Sequence, residues 1–528
     1  MKKSEILVVG AGINGLVAAN YLNKSGVNVT LIDQSERVGG ACISEVAQIN
    51  GENFHYALGA SVLGLMQDFI FEETGLSSVL DTFVPSHPKL VHFPDDAHAT
   101  MIYRDAAELD IELAKKWGER GDVRAFREDE NKVIQYLQKG YRDARPPSLS
   151  SAKEILGDEL TKLWITGSAR ELLNHYLTSE KSKMYMAMTI SESGPVSLDE
   201  PYSAFTLPVM DSGSVFDGYY GFVKGGIWKL TEKLGEINRT QGVVIQTSSK
   251  LMEVDLEKNH AIFISPEGEK KHKYDVIIFA TDPKTALGMI SDQKLQTEKK
   301  YIGSSGKLNV VFKNPIQWKD ATNLPDTDAA FRFLFSVNSI ESFEKSTLSV
   351  LDQNKNYDPG YMQIYCEGGA MRMMNCNEPY DRIAVFMKNF SLNNSGADLQ
   401  SVKEDALKKL FEYIKNPEDC IWTRLLTPRD LKDIFHFPGG NIDHTVLTGG
   451  QTFSDRNFSS DPENHFYRLL DNENAFICGA GTYPCGSIAG TPGYMCSQEV
   501  IKFMTSLAFC NLIAVSLLIL FTCKLMLV

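Results

Sequence analysis

The sequence has no CxxC pair, although it holds nine cysteines: Cys42, Cys366, Cys376, Cys420, Cys478, Cys485, Cys496, Cys510 and Cys523. An odd count without paired spacing argues against a disulfide frame or a dithiol redox centre. It reads as free thiols in a reducing compartment. His55, His436 and His444 lack metal-ligand spacing, so no metal site is expected. There is no block of like charge, no low-complexity tract and no repeat of fixed period, which excludes solenoids and charged tails. Cations are in deficit: the formal net charge is −14, so nucleic acid is not an expected partner. No secretory leader is expected either, because Lys2 and Lys3 are followed by only four apolar residues and then a glycine motif.

What is present begins with that motif. Ile6-Leu7-Val8-Val9 reads as a buried parallel strand, 15–25 as a helix, and 27–32 as a second strand ending at Asp33. Between strand and helix stands Gly10-Ala11-Gly12-Ile13-Asn14-Gly15, a GxGxxG turn. Gly10 permits the tight turn, Gly12 lets a pyrophosphate approach the backbone, and Gly15 lets helix and strand pack closely. The helix N-terminus offers free N–H groups to phosphate. Asp33, 18 residues after Gly15, is placed to accept hydrogen bonds from an adenosine ribose. Arg37-Val38-Gly39-Gly40-Ala41 follows, with two glycines to bring backbone against a ligand and a cation for its phosphates. A simple surface turn with a solvated arginine is the plainer alternative for that segment. Further along, helical periodicity is expected over 105–118, 127–143, 151–165 and 169–188. Strands are expected over 243–245, 251–256, 261–264, 276–280, 308–312, 361–366 and 383–387, with a helix at 399–415.

The string GAGINGLVAANYL…VTLIDQSERVGGAC resembles the N-terminus of FAD-dependent oxidoreductases of the phytoene desaturase and carotenoid isomerase type. That group includes the pyridine nucleotide-disulfide oxidoreductase domain proteins and, more distantly, is similar to flavin amine oxidases. The resemblance continues through Phe222-Val223-Lys224-Gly225-Gly226-Ile227, Val243-Val244-Ile245, Ala280-Thr281-Asp282-Pro283 and Phe437-Pro438-Gly439-Gly440-Asn441-Ile442. It closes with Cys478-Gly479-Ala480-Gly481-Thr482 and Gly490-Thr491-Pro492-Gly493-Tyr494. It implies an α/β protein with a Rossmann-like FAD-binding domain in three pieces (1–100, 215–290 and 430–502). An α+β substrate domain is interleaved, with residues 101–214 mostly helical and 291–429 as its second part. The implied FAD contacts are Gly10, Gly12, Asn14, Gly15, Asp33, Arg37, Gly39, Gly40 and Ala41, then Val244, then Gly479, Ala480, Gly481, Gly493, Tyr494 and Met495. Three departures stand out: Asp33 where the family usually has glutamate, Tyr56-Ala57-Leu58-Gly59 where it has FDxG, and Ala480 where amine oxidases carry an acid.

For chemistry, Lys307 in Gly306-Lys307-Leu308-Asn309 lies where amine oxidases place a lysine near flavin N5. A surface lysine at a strand start is the plainer reading. Asp443 and His444 are not expected to cooperate, since neighbours on a strand point to opposite faces. With a single GxGxxG there is no dedicated NAD(P)H domain, so electrons are expected to leave for oxygen or a quinone. The expected activity is dehydrogenation, desaturation or isomerisation of an apolar, carotenoid- or lipid-like substrate by hydride transfer to flavin N5. Two alternatives stand beside it. One is an amine oxidase-like enzyme, which needs an aromatic cage and a working Lys307; the other is a catalytically degenerate, membrane-bound flavin-fold protein. Finally, 503–523 carries no charge between Lys502 and Lys524 and as a helix would span about 31 Å. A C-terminal single-pass anchor over 503–528 is expected, with the catalytic part cytoplasmic beside the bilayer.

Overall fold

The first strand, Glu5–Val9, is apolar at four of five positions, and Ile6, Leu7 and Val8 are fully buried. A strand buried on both faces calls for parallel neighbours covered by helices. In the computed structural model, which describes residues 3–192, 194–290, 301–320, 324, 326–351, 359–390 and 396–506, it has them. Asn28–Ile32 pairs with it in parallel on one side and Val276–Phe279 on the other. Val244–Gln246 extends the sheet beyond Asn28–Ile32, and Ala475–Ile477 extends it beyond Val276–Phe279. The five strands therefore come from three distant stretches of chain. Helix Ile13–Lys24 covers one face beside helix Lys229–Thr240. The two are tied where Asn20 donates to Asn238 Oδ1 (2.8 Å) and Asn238 donates to the Leu16 carbonyl (2.9 Å).

A second, seven-stranded sheet runs in the order Cys420–Leu426, Gly306–Phe312, Asp381–Met387, Tyr361–Tyr365, Phe331–Phe335, Lys89–His92, Thr100–Ile102. Gly306–Phe312 is buried along its whole length. Lys89–His92 and Thr100–Ile102 pair in this sheet rather than with the parallel one, although they precede residue 103. The chain thus reaches the second sheet before the helical insert begins. A polar meander, Lys250–Asp255, His260–Ser265 and Gly268–Lys273, forms a third sheet. Its last strand, GEKKHK, has no apolar alternation to announce it.

The helical insert matches its periodicity at Ala106–Trp117 and Val123–Arg142. The expected helix over 169–188 is two helices, Ala169–Tyr176 and Glu180–Ala187. The break has a physical cause: the Glu119 carboxylate accepts from the backbone N–H groups of Thr178 (2.8 Å) and Ser179 (3.1 Å). Those bonds, with the Thr178 hydroxyl, hold Glu119 down at a pKa of about 2 despite burial. The expected helix over 151–165 becomes Leu149–Leu160, interrupted at Gly157 (φ +83°), and a wider turn over Thr161–Thr166. The closing helix spans 491–506. Phe503 packs against Phe476 at 5.9 Å between ring centroids, so the helix is still seated on the parallel sheet there. Of the expected C-terminal anchor, residues 507–528 lie outside the described residues. Among the described residues no helix is long and apolar enough to cross a membrane.

Candidate active site

The turn after the first strand sets one wall of a cavity. A β-carbon at Gly15 would lie 1.9 Å from the Gly10 carbonyl oxygen, so only glycine lets the helix start this close to the strand. Gly12 stands at the N-cap of that helix with no side-chain cap, which leaves the first-turn N–H groups without a protein partner from that position. Opposite it comes the second glycine turn. The Gly39 N–H donates to the Ala11 carbonyl (2.8 Å), and a β-carbon at Gly40 would stand 3.2 Å from Gly12 Cα. Two stretches of bare backbone thus face each other across a helix N-terminus, the shape a pyrophosphate fills. Asp33 borders the same space; its carboxylate accepts from the N–H groups of Ala11 (2.6 Å) and Ser35 (2.7 Å). Gly10, Gly12, Asn14, Asp33, Arg37, Gly39, Gly40, Ala41 and Ala480 all line one cavity of about 760 Å³.

The other sequence-predicted contacts do not line it. Gly15, Gly479, Gly481 and Gly493 are packing positions. A β-carbon would meet the Thr281 carbonyl at 1.8 Å from Gly479, Pro283 Cγ at 2.6 Å from Gly481, and the Asn14 carbonyl at 2.1 Å from Gly493. Tyr494 is wedged between Tyr21 and Phe69, with centroids 4.8 and 4.9 Å away, and donates to the Arg142 carbonyl (2.9 Å). Met495 is buried and takes a bond from the Tyr467 hydroxyl (3.4 Å). Val244 is half exposed at the sheet edge. The cavity wall on that side is formed by Ser249, Lys250 and Leu251, a few residues further along the chain.

At its other end the cavity is walled by Glu192, Tyr220, Lys307, Tyr365, Phe386, Ile442 and His444, with the turn 486–488. Lys307 is 3% exposed, so the surface reading fails. It sits in a central strand opposite Phe386, and its ammonium donates to the Ala57 carbonyl (2.6 Å). Burial lowers its pKa from 10.5 to about 8, against the pull of Glu367. Asp443 and His444 occupy a turn, not a strand. His444 reaches the cavity, and burial holds it neutral, with its pKa down at about 4. Asp443 does not line the cavity; its carboxylate accepts from the Gly486 N–H (3.1 Å) behind the wall. Arg456, 1% exposed, locks this region from behind. It donates to the carbonyls of Asp443 (2.8 Å), Gln451 (3.0 Å), Ala480 (2.9 Å) and Thr482 (3.2 Å).

Glu192, Tyr220, Tyr365 and Phe386 are absent from the sequence expectation. Each comes from a different segment, and no local pattern marks them. Only the strands expected over 361–366 and 383–387 placed two of them in regular structure.

A profile of the flavin containing amine oxidoreductase family matches residues 13–372. The chain belongs to that family. It is an FAD-dependent oxidoreductase, and the glycine cradle, Asp33 and the uncapped helix terminus fit FAD as its cofactor. Pyridine nucleotide-disulfide oxidoreductase domain-containing protein 2 of Rattus norvegicus is 22% identical, over 94% of this chain and 93% of the relative. The 4,4'-diapophytoene desaturase of Staphylococcus aureus (strain COL) is 23% identical, over 94% and 97%. Among solved structures, cyclohexylamine oxidase from Brevibacterium oxydans IH-35A superposes with a TM-score of 0.59 at 12% identity, covering 96% of this chain and all (100%) of that one. A putrescine oxidase variant gives 0.59 at 13%, covering 96% and 99%. These likenesses establish the fold.

Proposed function

We propose that this enzyme dehydrogenates a substrate with an apolar body, whose reacting carbon is held among Tyr220, Tyr365, Phe386 and Lys307. The observation that carries the reading is that this aromatic wall and a buried lysine share one continuous cavity with the glycine cradle. FAD bound in the cradle supplies a two-electron acceptor for the hydride of a C–H bond. The chain's own residues supply the rest. The aromatic rings exclude water and hold apolar surface. Lys307, with its pKa near 8, is poised to take or hold a proton at its Nζ near neutral pH.

Two substrate classes meet these terms. A lipid- or carotenoid-like substrate is supported by the desaturase relative, which aligns with nearly the whole chain. Amine oxidation is supported by the three aromatic side chains together with the buried Lys307. Oxygen or a membrane quinone is our proposed electron acceptor, and 503–523 our proposed bilayer anchor, with the catalytic part on the cytoplasmic side. Anaerobic mixing with an acyclic polyene and with a long-chain primary amine tests the substrate class. Flavin bleaching by one of them is the expected result; bleaching by neither, together with reduction by NADPH, would overturn the reading.

A further inference from the structure

Lys307 brings a cation into the interior without an acid of its own. Among the described residues its ammonium makes one hydrogen bond, to the neutral Ala57 carbonyl. The Cys42 thiol is near, but burial pushes it up to about 12 and it donates to the Ile227 carbonyl (3.3 Å), so it stays uncharged. On the neighbouring strand Cys420–Leu426, Arg424 is a second cation, and it donates to the Tyr56 hydroxyl (2.7 Å). An uncompensated buried charge is costly, so a counter-charge is needed.

One stands behind the cavity wall. Alternate residues of a strand share a face, so the face that carries Lys307 and Phe386 also carries Arg382, which lies opposite Val311. Arg382 is 2% exposed. Its Nε donates to Glu367 Oε2 (2.9 Å) and its Nη1 to Glu378, while the adjacent Asp381 pairs with Arg372 (2.7 Å). Gly368 seats the helix Glu367–Met373 against this strand. A β-carbon there would lie 1.6 Å from Asp381 Oδ1, so any side chain would push Glu367 away from Arg382. Three carboxylates thus meet two guanidiniums, which leaves one negative charge in excess. Burial pushes the Glu378 carboxyl up and Arg382 pulls it back. Glu367 is 4% exposed, and its Oε1 is buried with no hydrogen-bond partner among the described residues. None of these five residues lines the cavity. Burial pulls Lys307 down, Glu367 raises it again, and Arg382 opposes that rise.

We propose that Glu367 is a positioning residue for Lys307: from behind the wall it supplies the counter-charge that holds the lysine's proton. This rests on the reading of Lys307 as the group that takes or holds a proton in the reaction.

The test is Glu367→Gln in the full-length, FAD-loaded protein. Anaerobic flavin reduction is followed against pH with whichever of the acyclic polyene and the long-chain primary amine bleaches the wild type. Without the acid the ammonium loses its proton more easily, so the rise in rate should move down by about one pH unit, a tenfold loss of proton affinity. With the wild-type rise near pH 8, the variant should then be about fivefold faster than wild type at pH 7. A merely structural defect gives no such acceleration. Glu367→Asp should keep the rise near its wild-type place, and Glu378→Gln, on the other nitrogen of Arg382, should move it less than half as far. Stability gives a readout without turnover. Measured against Lys307→Met in the same background, the gain in stability with pH should begin about one unit lower in Glu367→Gln. A stability gain that begins where it does in the wild type would overturn the proposal, as would an equal shift in Glu378→Gln. If the stability gain moves but the rate shows no lysine step, the part of Lys307 in the reaction fails while the role of Glu367 stands. Should Glu367→Gln alone fail to fold, adding Lys307→Met should restore folding, because both charges are then gone. A double variant that still does not fold would overturn the proposal.

Discussion

At the end around Gly12 and Gly40 the cavity is walled by main chain, whereas at the end around Lys307 it is walled by side chains. The first end works by what is missing: β-carbons at Gly15, Gly39 or Gly40 would stand 1.9 to 3.2 Å from neighbouring atoms. The second works by what is added: a lysine, three aromatic rings, an acid and a histidine, each carried in from a separate segment. A backbone-built wall recognises what all dinucleotides share, while a side-chain-built wall can change its ligand without touching the fold. The two ends should therefore fail in different ways when altered.

The largest effect is expected at Gly15. A valine there has no room beside the Gly10 carbonyl, so Gly15→Val should cost more than about 3 kcal/mol and abolish soluble folded protein, as seen by circular dichroism. Arg456→Met comes next. It strands buried carbonyls of Asp443, Gln451, Ala480 and Thr482 and should lower stability by about 3–5 kcal/mol in chemical denaturation. A third change separates the two ends. Lys307→Met should leave flavin content intact while slowing anaerobic flavin reduction about a hundredfold. The wild-type rate should climb through pH 8, as the ammonium loses its proton, and that step should vanish in the variant.

The same lysine makes a stability prediction. Its folded pKa, about 8, lies below the unfolded 10.5, so between those values the unfolded chain holds one proton more. Stability must then rise with pH across that window, by up to about 3 kcal/mol relative to Lys307→Met. A flat difference between pH 8 and 10.5 would show that Lys307 keeps its charge in the fold. The smallest effect belongs to Val244, half exposed at the sheet edge. Val244→Thr should change stability by less than about 0.5 kcal/mol and flavin content not at all.

The contrast also explains what could be read from the sequence. The cradle is legible because consecutive residues build it: Gly10 to Gly15, Asp33, and Arg37 to Ala41 keep fixed offsets whatever the rest of the chain does. The parallel sheet is legible for the same reason, in the short apolar runs at 6–9 and 276–279. Tyr494 and Met495 were expected at the cofactor because their glycine-rich neighbourhood marks it. The Tyr494 side chain instead packs between Tyr21 and Phe69, Met495 takes a bond from the Tyr467 hydroxyl, and Gly493 lets the last helix touch the first at Asn14. Glu192 and Tyr220 were invisible, because their meaning depends on a cavity that exists only once two sheets and a helical layer have closed around it. Lys307 was half visible: the strand was legible, but the strand Asp381–Met387 and the end of the strand Glu52–Ala57 that bury it are remote in sequence.

The most direct test of this division is Gly12→Val. The nearest atom to a β-carbon there is Gly40 Cα at 3.9 Å, so the fold has room for a side chain that the cofactor does not. Flavin absorbance and thermal melting of the FAD-free protein, measured on the same preparations, decide it. The prediction is wild type with one FAD per chain and a variant with none, melting within a few degrees of the flavin-free wild type. A variant that still holds a full complement of FAD would contradict the placement of the dinucleotide between Gly12 and Gly40.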